Sequence, residues 1–145
     1  MRKEKETNST DYATDIRKAR RKTGLKTQEF FTPSELVEKM CDKIPMEDWR
    51  DPQKTFLEPC FGNGNFLVAI IRRKIENGSS WIQALETTYG VELMEDNVRE
   101  AKDRIVKLIS DEEGFNEEKA RQIMDHNLVC SDFFKWDFEN WKPME

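Results

Sequence analysis

Apolar positions along this chain change spacing several times, and each change predicts an element. Leu36, Val37, Met40, Cys41 and Ile44 fall on one helical face. Thr32 reads as the N-cap of that helix, Pro33 as its first residue and Glu35 as the capping partner, with Pro45 as the stop. Asp48 to Lys54 reads as a polar connection carrying Trp49 and Pro52. Thr55 to Glu58 predicts a short buried strand. After a glycine-containing turn, Phe66, Leu67, Ala69, Ile70, Ile71 and Ile75 predict a helix that Asn77-Gly78 ends. Ser80 caps a short helix through Leu85, and Thr88 to Leu93 predicts the second strand. Asp96 or Asn97 caps a helix bearing Val98, Ala101, Ile105, Leu108 and Ile109. Asn116 caps another through about Asp125, and Asn127 to Ser131 predicts the third strand. Lys135 to Trp141 is an aromatic and acidic segment.

A helix followed by strands alternating with helices predicts an α/β fold. Right-handed crossovers set the strands parallel and side by side, with their C-terminal ends on one edge. Open α/β sheets bind ligands at that edge. Each predicted strand runs into a carboxylate: Glu58, Glu92 and Asp132.

The first of these leads into Glu58-Pro59-Cys60-Phe61-Gly62-Asn63-Gly64-Asn65-Phe66, a strand-to-helix turn with Gly-x-Gly at its centre. Small residues there allow a tight bend and close backbone approach to a ligand, and the following helix offers unpaired N–H groups. Glu58 repels phosphate and suits a cationic or amino-bearing ligand. No Gly-Lys-Ser/Thr follows, so a Walker-type phosphate loop is excluded. S-adenosylmethionine, with its sulfonium and ammonium, fits these charges. Glu92 suits paired ribose hydroxyls, although an insert around residues 79–87 sets it further from the glycines than the ~20 residues usual in dinucleotide folds. Asp132 suits an adenine amino group and Phe133 the face of its ring. The structural alternatives are that Glu92 caps a helix or sits as a solvated rim charge, that Asp132 caps a turn with Phe133 in the core, and that Glu58 fixes the loop.

Charge divides the chain. Residues 1–26 carry nine Lys/Arg and four Asp/Glu, net +5; the rest carries 15 and 25, net −10. The basic run Arg17-Lys18-Ala19-Arg20-Arg21-Lys22 reads either as a nucleic-acid contact acting through counterion release or as a solvated tail, with a helix from about Asp11 to Arg21. Residues 1–26 are therefore expected as a mobile basic tail and 27–145 as one domain. No apolar run approaches the ~18 residues of a membrane span, and no apolar segment follows the charged N-terminus, so a cytoplasmic protein is expected. Three scattered cysteines and one histidine, His126, argue for idle thiols and against a metal site.

Four stretches together resemble S-adenosylmethionine-dependent DNA adenine-N6 methyltransferases, in the branch whose cofactor motifs precede the catalytic one. They are Phe31-Thr32-Pro33, Leu57-Glu58-Pro59 with Gly62-Asn63-Gly64-Asn65-Phe66, Tyr89-Gly90-Val91-Glu92-Leu93, and Ser131-Asp132-Phe133-Phe134. The resemblance covers roughly Gln28 to Phe134. It implies an incomplete Rossmann-like methyltransferase fold: three parallel strands with flanking helices behind an N-terminal helix. It implies that Thr32 and Pro33 lie near the methionine end of the cofactor. Glu58, Pro59, Gly62, Gly64 and Phe66 would surround methionine and ribose, with Glu92 on the ribose hydroxyls and Asp132 with Phe133 on the adenine. The family's Asn/Asp-Pro-Pro-Tyr/Phe/Trp motif orients the target amino group and stacks on the flipped base. None of the five prolines here is adjacent to another, and Glu145 falls about where the fourth strand is expected. No catalytic residue is assigned. The expected role is the cofactor-binding portion of an enzyme of DNA methylation, as in restriction-modification. DNA contact and the catalytic motif are expected from another segment or a partner polypeptide, and the isolated chain is expected to be inactive. The alternative is a non-catalytic, methyltransferase-like binding or regulatory protein. Without the fourth strand the first would have an open edge, for which Trp136, Phe138 and Trp141 are candidate covers.

Overall fold

The structure, a computed structural model, describes residues 32–145. The basic segment 1–26, its expected helix and Phe31 lie outside the described residues. Helix α1 spans Ser34–Asp42. Its N-cap is Pro33, not Thr32: Pro33 has extended ψ of 147° while its carbonyl accepts from the Val37 amide at 3.0 Å. The helix stops two residues before Ile44, and Pro45 becomes the N-cap of a second helix, α2 (Met46–Arg50). The stretch expected as a polar connection is therefore partly helical, and its Trp49 is buried. Glu47 and Asp48 in the first turn favour that start electrostatically.

Three parallel strands follow in the order β1 (Phe56–Glu58), β2 (Thr88–Glu92), β3 (Leu128–Cys130). Each is slightly shorter than its sequence pattern. Between β1 and β2 lie α3 (Asn65–Glu76) and α4 (Trp81–Glu86), the latter held by a reciprocal Ser80/Gln83 capping box. Between β2 and β3 lie α5 (Glu95–Ile109) and α6 (Glu117–Asn127), which Asn116 caps as expected by accepting from the Lys119 amide. Neither Asp96 nor Asn97 caps α5; its N-cap is Met94, and Asn97 is buried inside the first turn. Mixed α/β architecture with helices flanking a three-stranded parallel sheet is thus what the chain adopts.

Strand alternation places Phe56, Glu58, Thr88, Gly90, Glu92 and Leu128 on one face. On that side Leu67 and Ile71 of α3, Leu85 of α4, Ile105 and Ile109 of α5 and Met124 of α6 join Leu128 in one apolar cluster. A second cluster ties α1 and α2 to α3 through Val37, Cys41, Trp49 and Ile70, with Phe56 and Phe66 against it. Leu57, Tyr89, Val91 and Val129 share the opposite face. The C-terminal aromatic segment reaches it as a small hairpin of β4 (Trp136–Asp137) and β5 (Lys142–Pro143). Trp141 meets the Tyr89 ring edge-on at 4.9 Å and donates from Nε1 to the His126 carbonyl at 2.8 Å. The expected cover of the open β1 edge is therefore redirected to the middle strand. Among the described residues β1 pairs on one side only, and Leu57 stays 49% exposed.

At the N-terminal edge of the sheet sits a buried cation. Lys74 of α3 is 1% exposed and donates to the Lys54 carbonyl at 3.2 Å, the Thr87 carbonyl at 3.0 Å and Thr87 Oγ1 at 2.6 Å. Its ammonium lies 4.5 Å from the Phe56 ring centroid. It ties the entries of β1 and β2 together. Loss of water pushes its pKa down to about 7, against the pull of these acceptors. The unfolded chain keeps this proton up to its ordinary value of 10.5, so between those limits the unfolded state binds more protons and stability rises with pH. The slope from this one group approaches about 1.4 kcal/mol per pH unit inside the window. Chemical denaturation of wild type and Lys74→Met between pH 7 and 10 checks this: the rise belongs to wild type, and parallel curves would remove the assignment.

Candidate ligand-binding site

The C-terminal edge carries the three strand-end carboxylates, brought alongside one another by the register Glu58↔Gly90 and Glu92↔Cys130. Glu58 lines a cleft of about 80 Å³ with Thr32, Cys60, Phe61, Gly62, Asn63, Asn65 and Phe66. Burial pushes the Glu58 carboxyl up, opposed by a hydrogen bond from the Cys60 amide. Desolvation, then the charges of Glu92 and Glu58, push the Cys60 thiol up, so both carboxylates act on this one sulfur.

Glu92 is 8% exposed and well supplied with donors. Oε1 accepts from the Gly62 amide at 3.2 Å. Oε2 accepts from the Met94 amide at 2.9 Å and from Asn97 Nδ2 at 3.1 Å. The carboxylate thus ties the glycine turn to the start of α5. A carboxylate has about four acceptor positions, so Oε1 keeps capacity for one more donor.

Asp132 follows β3 and is 9% exposed. Its Oδ1 accepts from the Phe134 amide at 2.9 Å and caps a short 3₁₀ turn, Phe133–Lys135. Its Oδ2 is buried and has no hydrogen-bond partner among the described residues. Phe133 is 39% exposed and stands between the rings of Phe134 and Phe138. Both the turn-capping role and a buried, unmet acceptor are present in the one side chain.

The glycines have separate tasks. Gly62 (φ 54°) and Gly64 (φ 98°) are both left-handed, which admits glycine without strain. A Cβ at Gly64 would lie 2.8 Å from Ala101 Cβ on α5. The bare Cα of Gly64 therefore serves helix packing, whereas the amide of Gly62 faces Glu92. Gly90 plays a similar part: a Cβ there would strike the Phe61 ring at 2.6 Å.

No family model, curated protein or solved structure matches this chain.

Of the residues singled out in the sequence, Thr32, Glu58, Gly62 and Phe66 line one cleft, Glu92 joins it through Gly62, and Asp132 with Phe133 occupies the neighbouring strand end. Pro33 starts α1, Pro59 opens the turn, and Gly64 packs on α5; none of these three lines the cleft. The pattern offered Asn97 only as a helix cap, took Asn63 and Asn65 only as part of the glycine loop, and did not flag Arg104. Arg104 donates from Nη1 to the Asn63 carbonyl and to Asn65 Oδ1, both at 2.9 Å, and Asn65 Nδ2 donates to the Thr32 carbonyl at 2.8 Å. Nothing in a helical repeat distinguishes such an arginine from an ordinary surface charge. Among the described residues no cluster of His, Cys, Asp and Glu could hold a metal, and no helix is long and apolar enough to cross a membrane. Cys41, Cys60 and Cys130 form no disulfide; the first is buried and the others are exposed.

Gly64→Ala combines a disfavoured φ with the Ala101 collision, and is expected to cost about 2 kcal/mol or more. Urea titration measures this; a loss within a few tenths would mean that α3 and α5 separate freely.

Proposed function

We propose that this chain is the S-adenosylmethionine-binding portion of a DNA adenine-N6 methyltransferase. The observation that carries the reading is the buried, unsatisfied Oδ2 of Asp132. A buried carboxylate oxygen without a donor is costly, and an amino group arriving from a ligand relieves that cost. In this reading the adenine amino group meets Oδ2 with Phe133 beside the ring. One ribose hydroxyl donates to Glu92 Oε1, and the ammonium end lies toward Glu58 and Thr32. A cavity of about 80 Å³ encloses only a few heavy atoms, so the nucleoside lies across the open rim between the glycine turn and Asp132. When bound, the cofactor supplies an electrophilic methyl group. This chain's residues hold and orient it; an acidic rim suits the sulfonium and rejects free phosphate.

The three-stranded parallel sheet is compatible with a Rossmann-like methyltransferase domain, and the one-sided pairing of β1 among the described residues, with Leu57 exposed, suits a further strand there. The sequence of 145 residues contains no Asn/Asp-Pro-Pro. Base capture, DNA recognition and methyl transfer, as in restriction-modification systems, therefore fall to another segment or a partner polypeptide. A second reading, a non-catalytic cofactor-binding or regulatory protein, draws support from the same lack and from the structural engagement of Glu92.

Asp132→Asn is the discriminating variant. It keeps an oxygen for the Phe134 amide but sets a donor against an arriving amino group. Isothermal titration with S-adenosylhomocysteine is expected to show weak binding to wild type and at least about tenfold weaker binding to Asp132→Asn, at unchanged melting temperature. Equal affinities, or no heat from a folded wild-type sample, count against the reading. Methyl transfer to adenine-containing DNA by the isolated chain would contradict the division of labour.

A further inference from the structure

We propose that Arg104 of α5 is a positioning residue that sets the glycine turn in its ligand-ready shape. The turn is held at two levels by the same face of α5. Ala101 fills the space left by the missing Cβ of Gly64, and one helical turn later Arg104 reaches over to the flanking residues. Its Nη1 donates at 2.9 Å both to the Asn63 carbonyl, inside the Gly-Asn-Gly sequence, and to Asn65 Oδ1, on the first residue of α3. Asn65 passes the restraint on, donating from Nδ2 to the Thr32 carbonyl at 2.8 Å. Thr32, Asn63 and Asn65 all line the cleft, so one guanidinium fixes two of its walls relative to each other.

The arrangement has a chemical reason. Left-handed glycines make the turn compact but leave it with many accessible conformations, whose loss opposes ligand binding. Turning the Asn63 carbonyl toward Arg104 holds that peptide's acceptor outward on α5. The carboxylate of Glu92 pins the neighbouring Gly62 amide on the other side. The turn is thereby clamped between a cation on α5 and an anion on β2 before any ligand arrives. A planar guanidinium satisfies two acceptors in fixed geometry, which a lysine ammonium reproduces only in part. The effect on ligand affinity rests on the reading of the cleft as a cofactor site; the ordering of the turn does not.

Amide NMR of the ¹⁵N-labelled full chain separates the two. In Arg104→Met the Gly62 and Gly64 resonances and the Asn65 side-chain amide are expected to shift or broaden. Gly78 and Gly114, remote from α5's contact with the turn, stay in place, and Arg104→Lys restores part of the wild-type pattern. Titration with S-adenosylhomocysteine is expected to weaken about tenfold in Arg104→Met. Asn65→Ala removes the same relay from its other end and carries the test if Arg104→Met does not fold. Unchanged glycine resonances in both variants overturn the proposal. Shifted resonances in a chain that binds no S-adenosylhomocysteine uphold the positioning of the turn and remove the cofactor reading instead.

Discussion

The carboxylate of Glu92 is where this structure is tied together. It is nearly buried, so its charge must be met by donors, and three meet it: the Gly62 amide of the distant glycine turn, and the Met94 amide and Asn97 side chain at the start of α5. Those bonds fix the turn over the end of β2 and set where α5 begins. Met94, whose amide donates to Glu92 Oε2, occupies the N-cap in place of Asp96 or Asn97. A group with such structural duties retains only limited capacity for a ligand, in contrast to Asp132, which caps one amide and leaves its other oxygen unmet.

Charge is arranged by edge. The C-terminal edge of the sheet gathers Glu58, Glu92 and Asp132, and the N-terminal edge holds Lys74 inside a cage of carbonyl and hydroxyl oxygens. Desolvation raises the Glu58 carboxyl and lowers the Lys74 ammonium, the same physical cause acting on opposite charges. The acidic edge attracts cations and amino groups, and its companion Arg104 has its Nη1 committed to the turn. The two walls of the cleft are thus held by charges that belong to the scaffold.

The sheet is also divided by face. One side carries α3 to α6 and the larger apolar cluster; the other receives a two-stranded aromatic hairpin that stacks Trp141 on Tyr89. Trp136, Phe138 and Trp141 cluster with one another as well as with the sheet. Edge-to-face packing among large rings gives this short segment an apolar contact area that its few backbone hydrogen bonds alone do not supply. The hairpin turns the chain away from β1, whose outer edge has no strand partner among the described residues.

Much of this was legible in sequence. Helical spacing gave α3 and α5, and the Asn116 cap gave α6, within a few residues; short apolar runs gave the three strands, and their parallel order put Glu58, Glu92 and Asp132 on one edge. Local chemistry suffices for these features because periodicity and caps act over three or four residues. Other features escaped it. Pro33 and Pro45 were read as the first residue and the stop of one helix, yet both serve as N-caps, since an extended ψ beside a proline suits the position before a helix. Trp49 looked like a loop residue and is buried because Phe56 and α3 close over it. The roles of Gly64 and Arg104, the tie between Glu92 and the glycine turn, and the unmet oxygen of Asp132 depend on partners roughly 30 to 40 residues away, or on their absence. The sequence by itself determined which elements form and which charges end them; tertiary structure decided which polar groups find partners, because register and helix packing alone bring those distant atoms within hydrogen-bonding distance.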